Sequence, residues 1–198
     1  MKFSQIEITD LLKSWIAISI AFGIIIARNL DIPLTSQGFI IPLLISALTV
    51  GIGFLFHELG HKYIAQKYNY WAEFRASNSM LIFALILAYF TSFIFAAPGA
   101  VMIQGYYLTK EKNGRISAAG PIVNLILGSI FIILLLLGIN NLFTSYGALI
   151  NAWIALFNLI PLANFDGKKI LAWDKRVYYS MLAFGFVLLF LSSLVGSI

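Results

Sequence analysis

The sequence predicts an all-α polytopic membrane protein with five to six transmembrane helices and a re-entrant helix/strand segment near residues 80–107. Three observations predict this class. Of 198 residues, 61% are hydrophobic and only 11% charged, whereas soluble domains carry about 25% charged residues. The charges are also segregated. They leave charge-free runs at Ser14–Ala27, Ile32–His57, Ala76–Thr109, Ile116–Phe165 and Val177–Ile198, and a spanning helix needs ~20 mostly apolar residues. Finally, one threading of these runs puts nearly every Lys and Arg on the same side of the bilayer, as expected of cytoplasmic loops.

The elements follow in order. The first helix is expected over roughly 11–28. It reads as a span and not as a cleaved signal peptide, because no A-x-A-like site with a polar mature domain follows it. The second covers roughly 39–68. Met80–Ala97 is apolar enough for a helix, and Pro98-Gly99 then opens a strand-like stretch to Tyr107. A lone strand is tolerated at membrane depth only where protein covers it. Ile116–Phe165 divides at Gly138-Ile139-Asn140-Asn141, giving helices near 117–138 and 146–160. Pro161 ends the latter, since proline lacks the N–H and clashes with the preceding turn. A last helix covers roughly 177–196.

Charge arbitrates between five and six crossings. If 80–107 enters and returns on one side and the N-terminus is cytoplasmic, the basic residues from Lys2 to Arg176 are cytoplasmic except Arg28. A full crossing at Met80–Ala97 would carry Lys110 through Arg176 to the other side. The first arrangement is preferred, and six crossings with a poor charge bias is the alternative. The net charge of +5 then reads as a topology label, with no nucleic-acid partner implied. The chain has no cysteine, which excludes disulfide and thiol chemistry. No linker or repeat divides it.

The chemistry concentrates in few residues. The only histidines, His57 and His61, lie in His57-Glu58-Leu59-Gly60-His61. Residues i and i+4 share a helix face, so both imidazoles can address one ion while Glu58 takes a proton from water. Counting back from Lys67, His57 sits ~15 Å into the helix, too deep for a snorkelling side chain. A catalytic zinc usually takes three protein ligands, and without another His or any Cys the third must be an acid. Glu7 and Asp10 lie in the N-terminal tail, Asp31 in an outer loop, and Glu73, Glu111 and Asp174 in charged surface segments. Asp166 follows the long uncharged run and, in the preferred topology, ends on the same side as His61.

These residues carry a resemblance to the site-2 protease family of intramembrane zinc metalloproteases. The matching pieces, in the family's order, are His57-Glu58-Leu59-Gly60-His61-Lys62, Ser117-Ala118-Ala119-Gly120-Pro121-Ile122-Val123-Asn124, and Asn158 through Gly167. The resemblance implies His57, His61 and Asp166 as ligands of Zn2+ and Glu58 as general base. It implies Asn158 as a group that polarises the scissile carbonyl or holds its oxyanion, and Asn124 as a residue near substrate or active site. Phe165 stands where the family usually has Leu. The segment at 80–97 is more apolar than in many members, and its strand could offer an edge to an unwound substrate.

The function implied is regulated intramembrane proteolysis. It would be carried by a single integral membrane protease domain over 1–198, with a catalytic core at about 39–170. The expected setting is the cell membrane, multi-pass, with the active site toward the cytoplasm and transmembrane proteins as substrates. The sequence does not specify an oligomeric state. A zinc carrier or sensor would need polar groups along a path, and the outer half has almost none. An inactive scaffold would not need all of His57, Glu58, His61 and Asp166.

Overall fold

Ser4 starts the first helix by accepting from the Glu7 N–H, and α1 then runs Gln5–Asn29. This computed structural model describes residues 1–35, 37–91, 98–105 and 107–196. Their packing separates into two compact units, 2–55 with 73–102, and 56–72 with 103–198 plus Met1.

In the first unit, α1 packs against the start of a second long helix. That helix comprises a 3-10 turn at Gln37–Phe39, α2 (Ile40–Ser46), a π-helical turn at Ala47–Gly51 and α3 (Ile52–Lys67). A π turn disturbs the regular hydrogen-bond ladder, and here the Trp15 indole N–H donates to the Ala47 carbonyl at 3.1 Å. Gly51 makes room for that indole, because a Cβ would lie 2.6 Å from its nitrogen.

The same unit holds the re-entrant segment. Strands β1 (Trp71–Ala76) and β2 (Gly99–Gln104) form a two-stranded sheet, with α4 (Asn78–Thr91) between them in sequence. The Ser77 N–H donates to the Pro98 carbonyl at 2.9 Å. The chain therefore leaves the sheet at Ser77 and is back beside it at Pro98. Helix α4 has 14 residues, about 21 Å at 1.5 Å each, short of a ~30 Å hydrocarbon core. The rest of the expected Met80–Ala97 helix, 92–97, lies outside the described residues. At its far end, Arg28 donates to the Ala88 and Tyr89 carbonyls.

Two acids depart from expectation. Glu7 and Asp10 belong to α1, not to a tail, and are only 0% and 8% exposed. Glu7 accepts from the Phe74 N–H at 2.9 Å and Asp10 from the Ala76 N–H at 3.3 Å. Carboxylates thus satisfy alternate donors of β1, which buried backbone requires.

The second unit contains α5 (Lys110–Leu136), α6 (Leu142–Asn158), α7 (Asp166–Trp173), α8 (Lys175–Val195) and the later part of α3. Gly138, at φ 85°, ends α5, and the Ile139 N–H reaches back to the Leu134 carbonyl at 3.0 Å; this is the glycine C-terminal motif. Asn141 and Thr144 form a capping box that starts α6. The core joins Ala118, Leu125 and Ile132 of α5 to Ala148, Ala152 and Ala155 of α6 and to Tyr178, Met181 and Leu188 of α8. Small residues let these helices approach closely: a Cβ at Gly147 would strike the Phe131 ring, and one at Gly185 the Leu156 side chain.

The outward faces remain apolar. Ile122, Ile126, Ile130 and Ile133 form an exposed stripe on α5, and Phe186, Phe190 and Leu194 are exposed on α8. Such surface is rare on soluble monomers and suits lipid. Four helices among the described residues, Gln5–Asn29, Gln37–Lys67, Lys110–Leu136 and Lys175–Val195, are long and apolar enough to cross a membrane. Helix α6, also expected to cross, has 17 residues, at the lower end of spanning length.

Candidate metal centre

One turn of α3 brings His57 and His61 onto a single face, with their Nε2 atoms 3.0 Å apart. The Asp166 carboxylate, from the first residue of α7, completes a triangle: its Oδ2 lies 3.1 Å from His61 Nε2 and 3.5 Å from His57 Nε2. All three residues are buried. Ligand atoms ~2.0–2.1 Å from a tetrahedral zinc stand about 3.3 Å from one another. The three observed edges scatter around that value, so the donor set fits zinc.

The other ring nitrogens fix which face of each imidazole is free. His61 Nδ1 lies 2.8 Å from the Ile116 carbonyl, and His57 Nδ1 lies 2.6 Å from Asn124 Oδ1. A carbonyl only accepts, so His61 Nδ1 carries a proton, and in the neutral imidazole Nε2 keeps the lone pair. Lone pairs and a carboxylate converging at these distances repel one another unless a proton or a metal ion lies among them. Pro121 removes one rung of the α5 ladder, in the turn after Ile116.

Close helix approach sets the depth of the site. A Cβ at Gly60 would meet the Ala119 carbonyl at 3.1 Å, and a Cβ at Gly120 would lie 2.6 Å from His57 Nε2 and closer still to His61 Nε2. Glycine at 120 therefore leaves open the space that faces both ligand nitrogens. Gly167 does the same for α7, since a Cβ there would overlap the Leu159 carbonyl. Phe165, the departure from the family's usual Leu, is the N-cap residue of α7, and its ring stacks edge-on against Phe157 at 5.0 Å. Burial pushes the Asp166 carboxyl up, but His61 and His57 beside it outweigh this and hold it well below the usual carboxylate range.

Glu58 is 8% exposed, beside this triangle in sequence. Among the described residues no hydrogen-bond donor engages its carboxylate. The two expected asparagines part company. Asn124 is fully buried and bonds a ligand imidazole, so it contacts the metal set through His57. Asn158 donates to the Ile154 carbonyl of its own helix at 3.0 Å. Among the described residues it makes no hydrogen bond to His57, His61 or Asp166. Sequence reasoning passed over Asn151, also fully buried, whose Oδ1 accepts from Asn124 Nδ2 at 3.0 Å. A lone amide in the middle of an apolar helix was the available signal. Lys62, read as a cytoplasmic marker, is 1% exposed and packed in the interior.

Fold and donor set together define a polytopic membrane protein in which a His-Glu-x-x-His pair and an aspartate form a group that could hold a metal ion. The profile of Peptidase family M50 matches residues 45–141. A Methanocaldococcus jannaschii protein named "Putative zinc metalloprotease MJ0611" is 40% identical over 181 residues, covering 89% of each chain. "Putative zinc metalloprotease YwhC" of Bacillus subtilis is 29% identical over 145 residues, 63% of this chain and 66% of its own. "Zinc metalloprotease MJ0392", also of M. jannaschii, is 31% identical over 124 residues, 61% of this chain and 31% of its own. No solved structure matches. The chain belongs to Peptidase family M50, the family of the site-2 proteases.

Proposed function

We propose that this chain is an intramembrane zinc metalloendopeptidase that hydrolyses peptide bonds in or near transmembrane segments of membrane-anchored substrates. The observation that carries the reading is the His57–His61–Asp166 triangle, with zinc-ligand spacing and an unengaged Glu58 carboxylate beside it in sequence. Zinc held there supplies Lewis acidity, which lowers the pKa of a water toward ~7 and polarises a carbonyl. Glu58 takes the proton of the attacking water and returns it to the leaving amine. Asn158 retains an amide hydrogen beyond its bond to Ile154, and would donate it to the scissile carbonyl oxygen.

A substrate helix hides its carbonyls, so it must unwind before attack. Strand β2 supports this step: Glu7 and Asp10 occupy outward donors of β1, which leaves the far edge of β2 for an extended peptide to join. The cytoplasmic orientation rests on charge. Lys110, Lys112 and Arg115 lie at the start of α5, Lys168 and Lys169 in α7, and Lys175 and Arg176 at the start of α8.

The test is incubation of the purified full chain in proteoliposomes with a panel of single-span substrates, with and without chelator. Cleavage that stops with chelator and returns with zinc is expected. Zinc binding with no cleavage of any substrate would overturn the protease reading in favour of a metal carrier, sensor or inactive scaffold.

A further inference from the structure

The basic side chains around α5 and α7 fall into two groups. Arg115 pairs with Glu111 at 2.7 Å, and Lys112 lies over the Tyr68 and Tyr70 rings at 5.6 and 5.3 Å. Lys110 and Lys168 have no such partner among the described residues. Both line one cavity of about 280 Å³, together with Asn113 of α5, Asn164 just before α7, and Lys169. No acidic residue lines it, and its only hydrophobic residues are two alanines. The side-chain amides of Asn113 and Asn164 are also unengaged among the described residues. Ammonium groups and amides from two helices and a loop thus offer donors to one space, which suits a carboxylate.

The cavity borders the metal set. Lys169, part of its wall, holds its Nζ 3.8 Å from Asp166 Oδ1. An extended peptide advances ~3.3–3.6 Å per residue, so a side chain a few residues from a bond held at the metal comes within reach. We propose that this cavity is a specificity subsite that binds an acidic side chain, Asp or Glu, in the cytoplasmic flank of the substrate, with Lys110 and Lys168 as its recognition residues. This inference rests on the protease reading above. Cytoplasmic flanks of membrane spans usually carry Lys and Arg. Beside three lysines such a flank is repelled and an acidic one is held, and specificity often needs the repulsion as much as the attraction. A lipid headgroup is the weaker fit, because acyl chains bind by burying apolar area and two alanines provide little.

Lys110 and Lys168 are both exposed, so replacing them leaves the core and the metal ligands in place. Lys169 is kept, because it contacts Asp166. Exposed ion pairs are individually weak, so a pair of Glu in the flank should be preferred over a pair of Gln by only about 3-fold to 10-fold in kcat/KM. The contact is remote from the reacting bond and is made equally in ground and transition states, so the preference should appear in KM with kcat unchanged. A pair of Lys should be poorer than Gln. Lys110→Glu combined with Lys168→Glu should invert the order, with zinc affinity as in wild type. Lysines that merely mark the cytoplasmic side would affect all three flanks alike.

The measurement is steady-state cleavage of single-span peptides by the full chain in phosphatidylcholine proteoliposomes, with a Glu, Gln or Lys pair placed at successive positions of the cytoplasmic flank. The proposal is supported if Glu is preferred at one position and the order inverts in the Lys110→Glu, Lys168→Glu chain. It is overturned if the three flanks are cleaved alike at every position, or if the variant keeps the wild-type order. Repeating the series with phosphatidylglycerol separates a lipid occupant: activity that depends on anionic lipid in wild type but not in the variant, with no flank preference, overturns the proposal. If the doubly reversed chain does not fold, Lys110→Gln with Lys168→Gln decides: a lost preference supports the proposal and a retained one overturns it. A wild-type chain that cleaves none of the peptides would overturn the protease reading and this inference with it; cleavage without preference overturns this inference alone.

Discussion

Replacing Gly120 by alanine should abolish tight zinc binding while leaving the chain folded. The added Cβ would lie 2.6 Å from His57 Nε2 and closer to His61 Nε2. Ordinary contact needs ~3.5 Å, so α5 or the two imidazoles must give way by roughly 1 Å. Ligand distances at a metal site tolerate only ~0.2 Å, so the imidazoles cannot be displaced and still ligate. The expected loss is at least about 100-fold in affinity, or roughly 2.8 kcal/mol. Fold stability is pulled both ways. Ala gains ~1 kcal/mol over Gly in a helix, and overpacking costs ~1–3 kcal/mol, leaving a net change of at most about 2 kcal/mol. Chelator competition and a circular-dichroism melt on the same detergent sample separate these effects. Zinc bound by Gly120→Ala as tightly as by wild type would refute the steric reasoning and the position assigned to the ion.

Three further outcomes follow from the same geometry. Asp166→Asn exchanges an anionic donor for a neutral amide and should strip zinc from the purified protein. Elemental analysis showing unchanged metal would remove Asp166 from the ligand set. Gly167→Ala would drive a Cβ into the Leu159 carbonyl and lift Asp166 off the triangle, weakening zinc by about tenfold or more; unaltered affinity would show that α7 does not set the carboxylate. Glu7→Ala leaves the buried Phe74 N–H without its carboxylate, at a cost of about 2 kcal/mol in stability, read as a lower unfolding midpoint. A midpoint equal to wild type would show that this bond is not what holds β1.

The residues legible in the sequence were those whose geometry is local. His57 and His61 meet because α3 places i and i+4 on one face, and no distant contact is needed to see it. Asp166 stood out for another local reason, as the first charge after the run Ile116–Phe165. Gly138 and Pro161 marked helix ends through backbone chemistry alone, and α5 and α6 end at Leu136 and Asn158. What escaped depends on partners distant in sequence. Asn151 and Asn124 are a hydrogen-bonded pair only because α5 and α6 pack closely, and nothing near either residue names the other. The same holds for Glu7 and Asp10, whose partners are backbone N–H groups of β1. That strand was itself missed, although Ala72, Glu73, Phe74 and Arg75 alternate in the way a strand requires; six residues beside charged neighbours gave too short a pattern. The π turn before His57 has no sequence signature beyond Gly51, and its reason is the Trp15 indole packed against it.

The account turns on zinc being held by one set of residues and the water proton being taken by another. The direct measurement is zinc stoichiometry and substrate cleavage determined together, for wild type and Glu58→Gln, on the same proteoliposome preparation. The expected result is one zinc per chain in both, with cleavage in the wild type alone. Cleavage by Glu58→Gln, or a wild-type chain that cleaves after its zinc has been removed, would contradict it.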